Sequence, residues 1–167
     1  MMAKHPWKTQ ILTAGVLCGG GDLIAQFGVE RKQPHQYEPA RTVRFFGLGS
    51  FYISPIVQSW LVYLDKTIRA HPTVLPIKKM LIDQSTFSPI FNSSVLIVLR
   101  LIEGKGVEGA VDLWKRDFGH VYLTSLKIWP LVQLVNFYII PLNYRVIVIQ
   151  CVALFWNTYI AYTTQKK

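Results

Sequence analysis

Long apolar runs recur along this chain of 167 residues, and each is close to the length needed to cross a lipid bilayer. A hydrocarbon core of roughly 30 Å requires about 20 helical residues. Three such runs cover residues 10–27, 43–64 and 77–102, and residues 118–162 are long enough for two passes. Pro141, within "IIPLNYR", is the natural break in the last region because proline lacks a donor N–H. The runs predict an all-α helical membrane bundle with four or five transmembrane helices.

The composition also favours a membrane protein over a soluble one. Hydrophobic residues make up 51% of the chain, charged residues only 16%, and the mean hydropathy is +0.28, whereas an average soluble domain is about a quarter charged. The net charge of +9 comes mainly from basic residues between the apolar runs, where they suit lipid headgroups. No nucleic-acid-binding motif appears, so direct nucleic-acid binding is not expected. Because linkers are short and repeats absent, residues 1–167 are expected to form one helical domain.

The first run contains "GVLCGGGDLIAQ", which places glycines and a charge inside an apolar segment. At about 100° per residue, Gly15, Gly19, Asp22 and Gln26 project within a sector of roughly 60°. The two glycines allow a neighbouring backbone to approach closely. This face is therefore predicted to point at protein or water rather than lipid.

Each later run carries a comparable polar stripe. The stripes comprise Gly47, Ser50, Ser54, Gln58 and Asp65; then Thr86, Pro89, Ser93 and Arg100, with Asp83 nearby; and finally Lys127, Gln133, Asn136 and Arg145. An intramembrane ionisable group costs on the order of 3 kcal/mol or more, so it normally pairs or lines a wet cavity. In one interpretation Asp22, Asp83, Arg100 and Arg145 pair off in a dry interior. In the other, the polar faces line a pathway that favours cations.

The interval "EGKGVEGAVDLWKRDF" precedes the last region and has its own pattern. Val107, Val111, Trp114 and Phe118 recur at helical spacing. This pattern predicts a short amphipathic helix at the headgroup level, where an indole is favoured. A solvent-exposed loop explains the interval equally well.

Reactive side chains are not arranged for catalysis or metal binding. Cys18 and Cys151 lie in apolar runs and are interpreted as small hydrophobic residues. The four histidines are isolated, and "CGGGD" lacks the Lys-Ser/Thr of a phosphate-binding loop. We therefore expect no enzyme, no metal and no cofactor. The basic N-terminal segment has no convincing cleavage site, so the first run is expected to remain in the mature protein.

The stretch "WPLVQLVNFYIIPLNYR", followed by "FWNTYIAY", is more specific than composition. It resembles the signature of the family of small integral membrane proteins that includes the Mpv-seventeen protein and the twenty-two-kilodalton peroxisomal membrane protein. The matching positions are Trp129, Pro130, Gln133, Asn136, Phe137, Pro141, Arg145, Trp156 and Tyr159. Earlier matches are "HPWKT", Gly15, Gly21, Asp22, Gln26, Arg41, Arg44, Pro55, Trp60, Lys79, Asp83, Gln84 and Pro89. Ser54, Gln58 and Leu61 replace the glycine, histidine and tyrosine usual in this family, so a titratable imidazole is missing.

The resemblance implies a four-span, channel-like protein of the mitochondrial inner membrane, with the peroxisomal membrane as the alternative. It also implies a role in metabolite homeostasis and, indirectly, in mitochondrial DNA maintenance. The expected partners are membrane lipids, ions or small metabolites as transported species, and a second copy of the chain in a homo-oligomer. The alternative is a structural, interaction or lipid-binding membrane protein that transports nothing.

The polar stripes and the family positions together define the candidate residues. The expected pore-lining or intramembrane polar residues are Asp22, Gln26, Ser54, Gln58, Asp83, Gln84, Arg100, Gln133, Asn136 and Arg145. The expected helix-packing residues are Gly15, Gly19, Pro89, Trp129, Pro130 and Pro141. Whether the polar residues meet water or one another decides between transport and a purely structural role.

Overall fold

The computed structural model describes residues 6–165, and this part of the chain is helical with no strand. The helices are α1 (Pro6–Leu23), α2 (Pro39–Gly47), α3 (Ser54–Thr67), α4 (Leu75–Ile82), α5 (Ser88–Ile102), α6 (Gly106–Tyr138) and α7 (Leu142–Gln165). The all-α prediction is confirmed.

Three π-helical segments extend or join these helices. Ile24–Val29 continues α1, Leu48–Ile53 joins α2 to α3, and Asp83–Phe87 joins α4 to α5. A serine and a proline follow directly after the second and third segments. Because a proline ring removes one hydrogen bond and presses on the carbonyl four residues earlier, a wider turn before it relieves the clash. The second and third spans therefore stay helical through their prolines.

Three helical stretches are long and apolar enough to cross a membrane: Gln10–Val29, Pro39–Thr67 and Leu75–Ile102. They correspond to the first three predicted runs, each extended by a few residues. The predicted break at Pro141 also occurs, since α6 ends at Tyr138 and α7 begins at Leu142. A fourth and a fifth span stay predictions.

The interval before the last region is helical, but it is not a separate interfacial helix. Val107 and Phe118 both lie in α6, which runs for 33 residues without interruption. Nothing between Phe118 and Pro130 removes a backbone donor, and Gly119 alone costs only about 1 kcal/mol in a helix. The predicted short helix and the alternative loop are therefore both replaced by the first half of α6.

The described residues form two compact units. Unit 1 comprises the chain up to Val57 together with the chain from Val146 onward, and unit 2 comprises Gln58–Arg145. In unit 1, α1 packs along α2 and the π-helical segment that follows it; in unit 2, α5 packs along α6 and α4 also contacts α6. Each unit has a buried apolar core, around Phe45 and Leu48 in the first and around Leu64 and Leu99 in the second. The expected single domain stays a prediction.

Glycines set the closest approaches within unit 1. A Cβ at Gly49 would lie 2.7 Å from the carbonyl oxygen of Ala14 and 2.8 Å from Cβ of Cys18. A Cβ at Gly21 would lie 2.9 Å from Cβ of Asn157, on α7. Both positions bring backbones together more closely than any side chain would allow.

The predicted packing residues lie at several kinds of site. A Cβ at Gly15 would overlap the hydroxyl of Ser50, whereas one at Gly19 would make an ordinary contact of 3.6 Å with Cβ of Phe46. The predicted glycine face therefore lies against the second span, most tightly at Gly15. The prolines take different places, with Pro89 in the first turn of α5, Pro130 inside α6 next to Trp129, and Pro141 between α6 and α7.

We expect Gly49→Ala to lower the free energy of unfolding by about 1–3 kcal/mol, because α1 must move at Ala14 and Cys18. Gly47→Ala is the matched control, since a Cβ there meets no atom within 4 Å and alanine favours a helix over glycine by about 0.5–1 kcal/mol. Unfolding of the purified full chain in detergent micelles measures both. Equal stability of the two variants would contradict this packing.

Candidate functional site: buried polar clusters

The first buried polar cluster lies in unit 1 around Asp22, whose side chain is fully buried. One carboxylate oxygen accepts hydrogen bonds from Gln26 Nε2 at 2.8 Å and from the Thr42 hydroxyl at 2.7 Å. The other oxygen lies 2.5 Å from Nε of Arg41. We call these four residues the Asp22 cluster. The Asp22 carboxylate thus accepts two hydrogen bonds on one oxygen and forms an ion pair with Arg41 through the other, so a protein cation neutralises its charge.

Arg41 extends the Asp22 cluster to two other parts of unit 1. Its two terminal nitrogens lie 3.1 and 2.7 Å from the Glu30 carboxylate. One of them also donates to the backbone carbonyl of Ala161, on α7, at 3.2 Å. The guanidinium is thus shared by α1, α2 and α7 and leaves no nitrogen for a ligand.

The loop between α1 and α2 brings further charges to this cluster. Lys32 lies 3.2 Å from the Glu30 carboxylate and 2.5 Å from that of Glu38. Burial alone would raise the pKa of Glu30, but hydrogen bonds from Arg41 and Lys32 outweigh it and lower the pKa below its usual 4.5. The hydrogen bond from Lys32 likewise lowers the pKa of Glu38. The loop is therefore held in place by ionised carboxylates.

In unit 2, Asp65 at the end of α3 binds two cations at once. Its carboxylate pairs with Lys79, and both of its oxygens face Nη1 of Arg145 at 3.0 and 3.2 Å. Arg145 also donates from Nε to the carbonyl of Ile140 at 3.0 Å. The Phe137 ring faces both cations, with its centroid 5.8 Å from the Lys79 ammonium and 5.3 Å from the guanidinium. This Asp65 triad of Asp65, Lys79 and Arg145 ties α3, α4 and the start of α7 together.

Arg100, near the end of α5, forms a second ion-pair network in unit 2. It lies 2.8 Å from the Glu103 carboxylate and 3.0 Å from that of Asp117 on α6. Arg116 pairs with the other oxygen of Asp117 at 2.6 Å. Arg100 therefore joins α5 to α6, and its charge is matched by neighbouring carboxylates.

Asp83, at the start of the third π-helical segment, has a different environment. Its Oδ1 accepts a hydrogen bond from the Trp60 indole N–H at 2.7 Å. Its Oδ2 accepts from the side-chain amides of Gln84 at 2.7 Å and Gln133 at 3.3 Å. The carboxylate is 3% exposed and every one of these donors is neutral. We call Trp60, Asp83, Gln84 and Gln133 the Asp83 cluster.

Several buried amide atoms of unit 2 have no hydrogen-bond partner among the described residues. They include the carbonyl oxygens of Gln84 and Gln133 and both amide atoms of Asn136. Asn136 is fully buried and lies one turn after Gln133 on α6. The Oε1 of Gln58, in α3, is also without a partner. Buried polar atoms are normally paired, so unit 2 carries an unusual set of free acceptors.

The structure distributes the predicted site residues over both units. Asp22 and Gln26 meet in unit 1, where Ser54 is also buried at the start of α3. Asp83, Gln84 and Gln133 meet in unit 2. The dry-interior interpretation paired Asp22, Asp83, Arg100 and Arg145 with one another, and that pairing is wrong. The observed partners are Arg41 for Asp22, Glu103 and Asp117 for Arg100, Asp65 for Arg145, and neutral donors for Asp83.

The only partners that sequence reasoning offered the carboxylates were Arg100 and Arg145, and it missed four residues that bind them in the structure. Arg41, Trp60 and Lys79 were available as matches to the family, but they were assigned no role in a cluster. Thr42 carries no sequence signal beyond its place one residue after Arg41. Pairing of this kind depends on how helices pack, which periodicity within one helix does not specify.

We expect Arg41→Gln to lower the free energy of unfolding by about 3–5 kcal/mol, because the buried Asp22 carboxylate then loses its counter-charge. Arg44→Gln removes the same charge from the same helix, but Arg44 makes no ion pair within residues 6–165 and is expected to change stability by less than about 1 kcal/mol. Chemical denaturation in micelles compares the two. Similar losses from both variants would show that net charge, and not the buried pair, matters.

The stability contributed by Glu38 should depend on pH. Because the pKa of Glu38 is lowered in the folded protein, its contribution is present above pH 4.5 and is lost as the pH falls below that value. The difference in melting temperature between the unmodified chain and Glu38→Gln is therefore expected to be constant from pH 5.5 to 8 and to shrink below pH 4.5. In a Lys32→Gln background the difference should be smaller throughout, and an unchanged difference there would contradict the role of Lys32.

Comparison with known proteins places this chain among described membrane proteins. The model of the Mpv17 / PMP22 family matches residues 100–161. The chain is 41% identical over 165 residues to the mitochondrial inner membrane protein Mpv17 of Mus musculus, covering 99% of this chain and 94% of the relative. The Caenorhabditis elegans protein of that name is 42% identical, with 99% and 90% coverage, and the Homo sapiens protein 39%, with 99% and 94%. No solved structure matches the chain.

These relatives are all named for the mitochondrial inner membrane, which confirms the expected location; the names give no support to the peroxisomal alternative. Their similarity runs from end to end and includes the membrane-spanning helices described above. The resemblance inferred from the C-terminal signature is also confirmed by the family model, which covers that signature. The chain is a helical membrane protein that belongs to the Mpv17 / PMP22 family.

Proposed function

We propose that this chain forms or supports a permeation pathway for ions or small metabolites across the mitochondrial inner membrane. The observation that carries the proposal is the Asp83 cluster, a buried carboxylate surrounded by neutral donors and unpaired amide oxygens in unit 2. In a purely structural cluster, each buried polar atom would be expected to have a protein partner. Unpaired acceptor oxygens beside a carboxylate can bind a permeating solute transiently.

The position of Asp83 along its helix agrees with this proposal. Asp83 is the ninth residue of the span Leu75–Ile102, so at 1.5 Å per residue it lies about 12 Å from the start of that span. Polar groups at such depth are expensive in lipid and are typical of ion and substrate pathways. The proposed pathway residues are Asp83, Gln84, Gln133 and Asn136.

The proposal has consequences for the organelle and for assembly. Permeation of ions or metabolites would support mitochondrial homeostasis, and its effect on mitochondrial DNA maintenance would be indirect, through metabolite supply. Membrane lipids are the proposed surroundings, and a homo-oligomer is the proposed assembly. We propose neither catalysis nor direct nucleic-acid binding.

A second candidate is a structural or lipid-associated membrane protein that transports nothing. It is favoured by the closed ion pairs of Asp22 with Arg41 and of Asp65 with Lys79 and Arg145. In this view the buried charges hold the helices together, and Asp83 serves only as a hydrogen-bond acceptor for Trp60, Gln84 and Gln133. The two candidates differ in whether substitution at Asp83 changes current or only stability.

We expect Asp83→Asn to lower cation current through the full chain in planar bilayers at least about tenfold. A unit charge about 5 Å from an ion is worth roughly 3 kcal/mol at an effective dielectric constant near 20, and 1.4 kcal/mol already corresponds to tenfold. Asp22→Asn should lower thermal stability but leave the current per active molecule unchanged, because Arg41 already neutralises the charge of Asp22. Asp112→Asn, at an exposed carboxylate of α6, is the control and should change neither.

Absence of current from the unmodified chain, with Asp22→Asn and Asp83→Asn lowering stability and Asp112→Asn changing nothing, would reject permeation in favour of the structural candidate. Equal loss of current in Asp22→Asn and Asp83→Asn would show that the pathway is not confined to the Asp83 cluster.

A further inference from the structure

Asp83 differs from the other buried or half-buried aspartates of the described chain. Asp22 faces Arg41, Asp65 faces Lys79 and Arg145, and Asp117 faces Arg100 and Arg116, as set out above. The Asp83 side chain, by contrast, has no cation within ion-pair distance in residues 6–165. Lys79 lies one turn before it on the same helix, but the Lys79 ammonium is bound to Asp65. In its ionised form, Asp83 would thus have no counter-charge among the described residues.

The hydrogen bonds to Asp83 are of the kind that its ionised form can accept. Three N–H donors converge on the two oxygens, and an ionised carboxylate only accepts hydrogen bonds. Those bonds lower the cost of burial, but neutral dipoles do not cancel a full charge. A bound cation would neutralise the negative charge of the carboxylate.

The same side chains that donate to Asp83 also offer oxygens beside it. In a primary amide the carbonyl oxygen lies about 2.3 Å from the nitrogen, so Oε1 of Gln84 and Oε1 of Gln133 lie within about 6 Å of the carboxylate they bond to. Both oxygens are buried and unpaired, in side chains 8% and 6% exposed. Asn136 adds an unpaired amide on the same face of α6 as Gln133, in a residue with no exposed surface. Carboxylate and amide oxygens are the ligands preferred by hard cations.

We propose that unit 2 contains a binding site for one monovalent metal cation, sodium or potassium, held by the Asp83 carboxylate and the amide oxygens of Gln84, Gln133 and Asn136. One carboxylate with neutral amides balances a single positive charge, whereas calcium sites of useful affinity normally collect several carboxylates. This site would be a cation-binding position within the proposed pathway, and its role in transport rests on the proposed function. Binding itself does not depend on transport.

The test is the thermal stability of the full chain in detergent micelles at pH 7.5, with sodium or potassium chloride replacing choline chloride at constant ionic strength. Choline is too large for a site built from one carboxylate and three amides. Because an ion that binds only the folded state stabilises it, the melting temperature of the unmodified chain should rise saturably, by about 3–6 °C at ten times the dissociation constant. Asp83→Asn should abolish this rise, and Asp112→Asn should retain it.

Asn136→Leu provides a second variant if Asp83→Asn fails to fold. It removes an amide without a hydrogen-bond partner and keeps the same branched arrangement of side-chain heavy atoms, so the folded state should persist while the alkali-ion concentration at half-saturation increases at least about fivefold. Unchanged half-saturation in Asn136→Leu would remove that residue from the site and overturn the ligand set proposed here.

Two other outcomes would overturn the proposal as a whole. One is an equal melting temperature in choline, sodium and potassium. The other is stabilisation by acidification from pH 7.5 to 5.5 that depends on Asp83 but not on alkali ions, which would identify a proton as the occupant. If the chain shows the alkali-ion shift in melting temperature but no bilayer current, this site stands and only the proposed function is rejected. If the chain conducts without that shift, the proposed function stands and this site is rejected.

Discussion

An ionised side chain inside an apolar helix must find an opposite charge or a sufficient set of dipoles, and this requirement organises both units of the chain. Unit 1 meets it with charge, because Arg41 lies 2.5 Å from Asp22 and also reaches Glu30. At Asp83, unit 2 meets it with dipoles from an indole and two amides. A carboxylate paired with a guanidinium is neutralised, whereas an ionised carboxylate bonded only to neutral dipoles keeps its net charge and attracts a cation. The two clusters therefore differ in kind although both are buried.

The prolines of the second and third spans help to place these polar groups. Each Ser-Pro pair is preceded by a π-helical segment, at Leu48–Ile53 and at Asp83–Phe87. A π-helical turn adds one residue and so rotates the following helix by about 100° relative to a regular helix. Asp83 begins the second of these segments, where the helix surface changes direction. In the same segment the Thr86 hydroxyl donates to the Ile82 carbonyl at 2.6 Å, which satisfies a carbonyl at the widened turn.

Much of the helical organisation follows from the sequence, because apolar length and proline position act within one segment. The face shared by Asp22 and Gln26 was also predictable, since they are four residues apart and their side chains do bond to each other. The alignment of Ser50 with Asp65 on one face was less predictable, because Ser50 lies within a π-helical segment that shifts the phase of the helix after it. Partner choice was not predictable at all: Asp22 bonds to Arg41 through helix packing, which periodicity along a single helix does not encode.

The Asp65 triad also bears on the strength of a site at Asp83. Lys79 and Arg145 share the single carboxylate of Asp65, so the triad carries one surplus positive charge in the same unit. The π-face of Phe137 lies against both cations and partly offsets their positive potential. The remaining positive field opposes a cation at Asp83 and weakens its binding. Weak binding is what conduction requires, because an ion that pairs too tightly with a buried carboxylate does not leave.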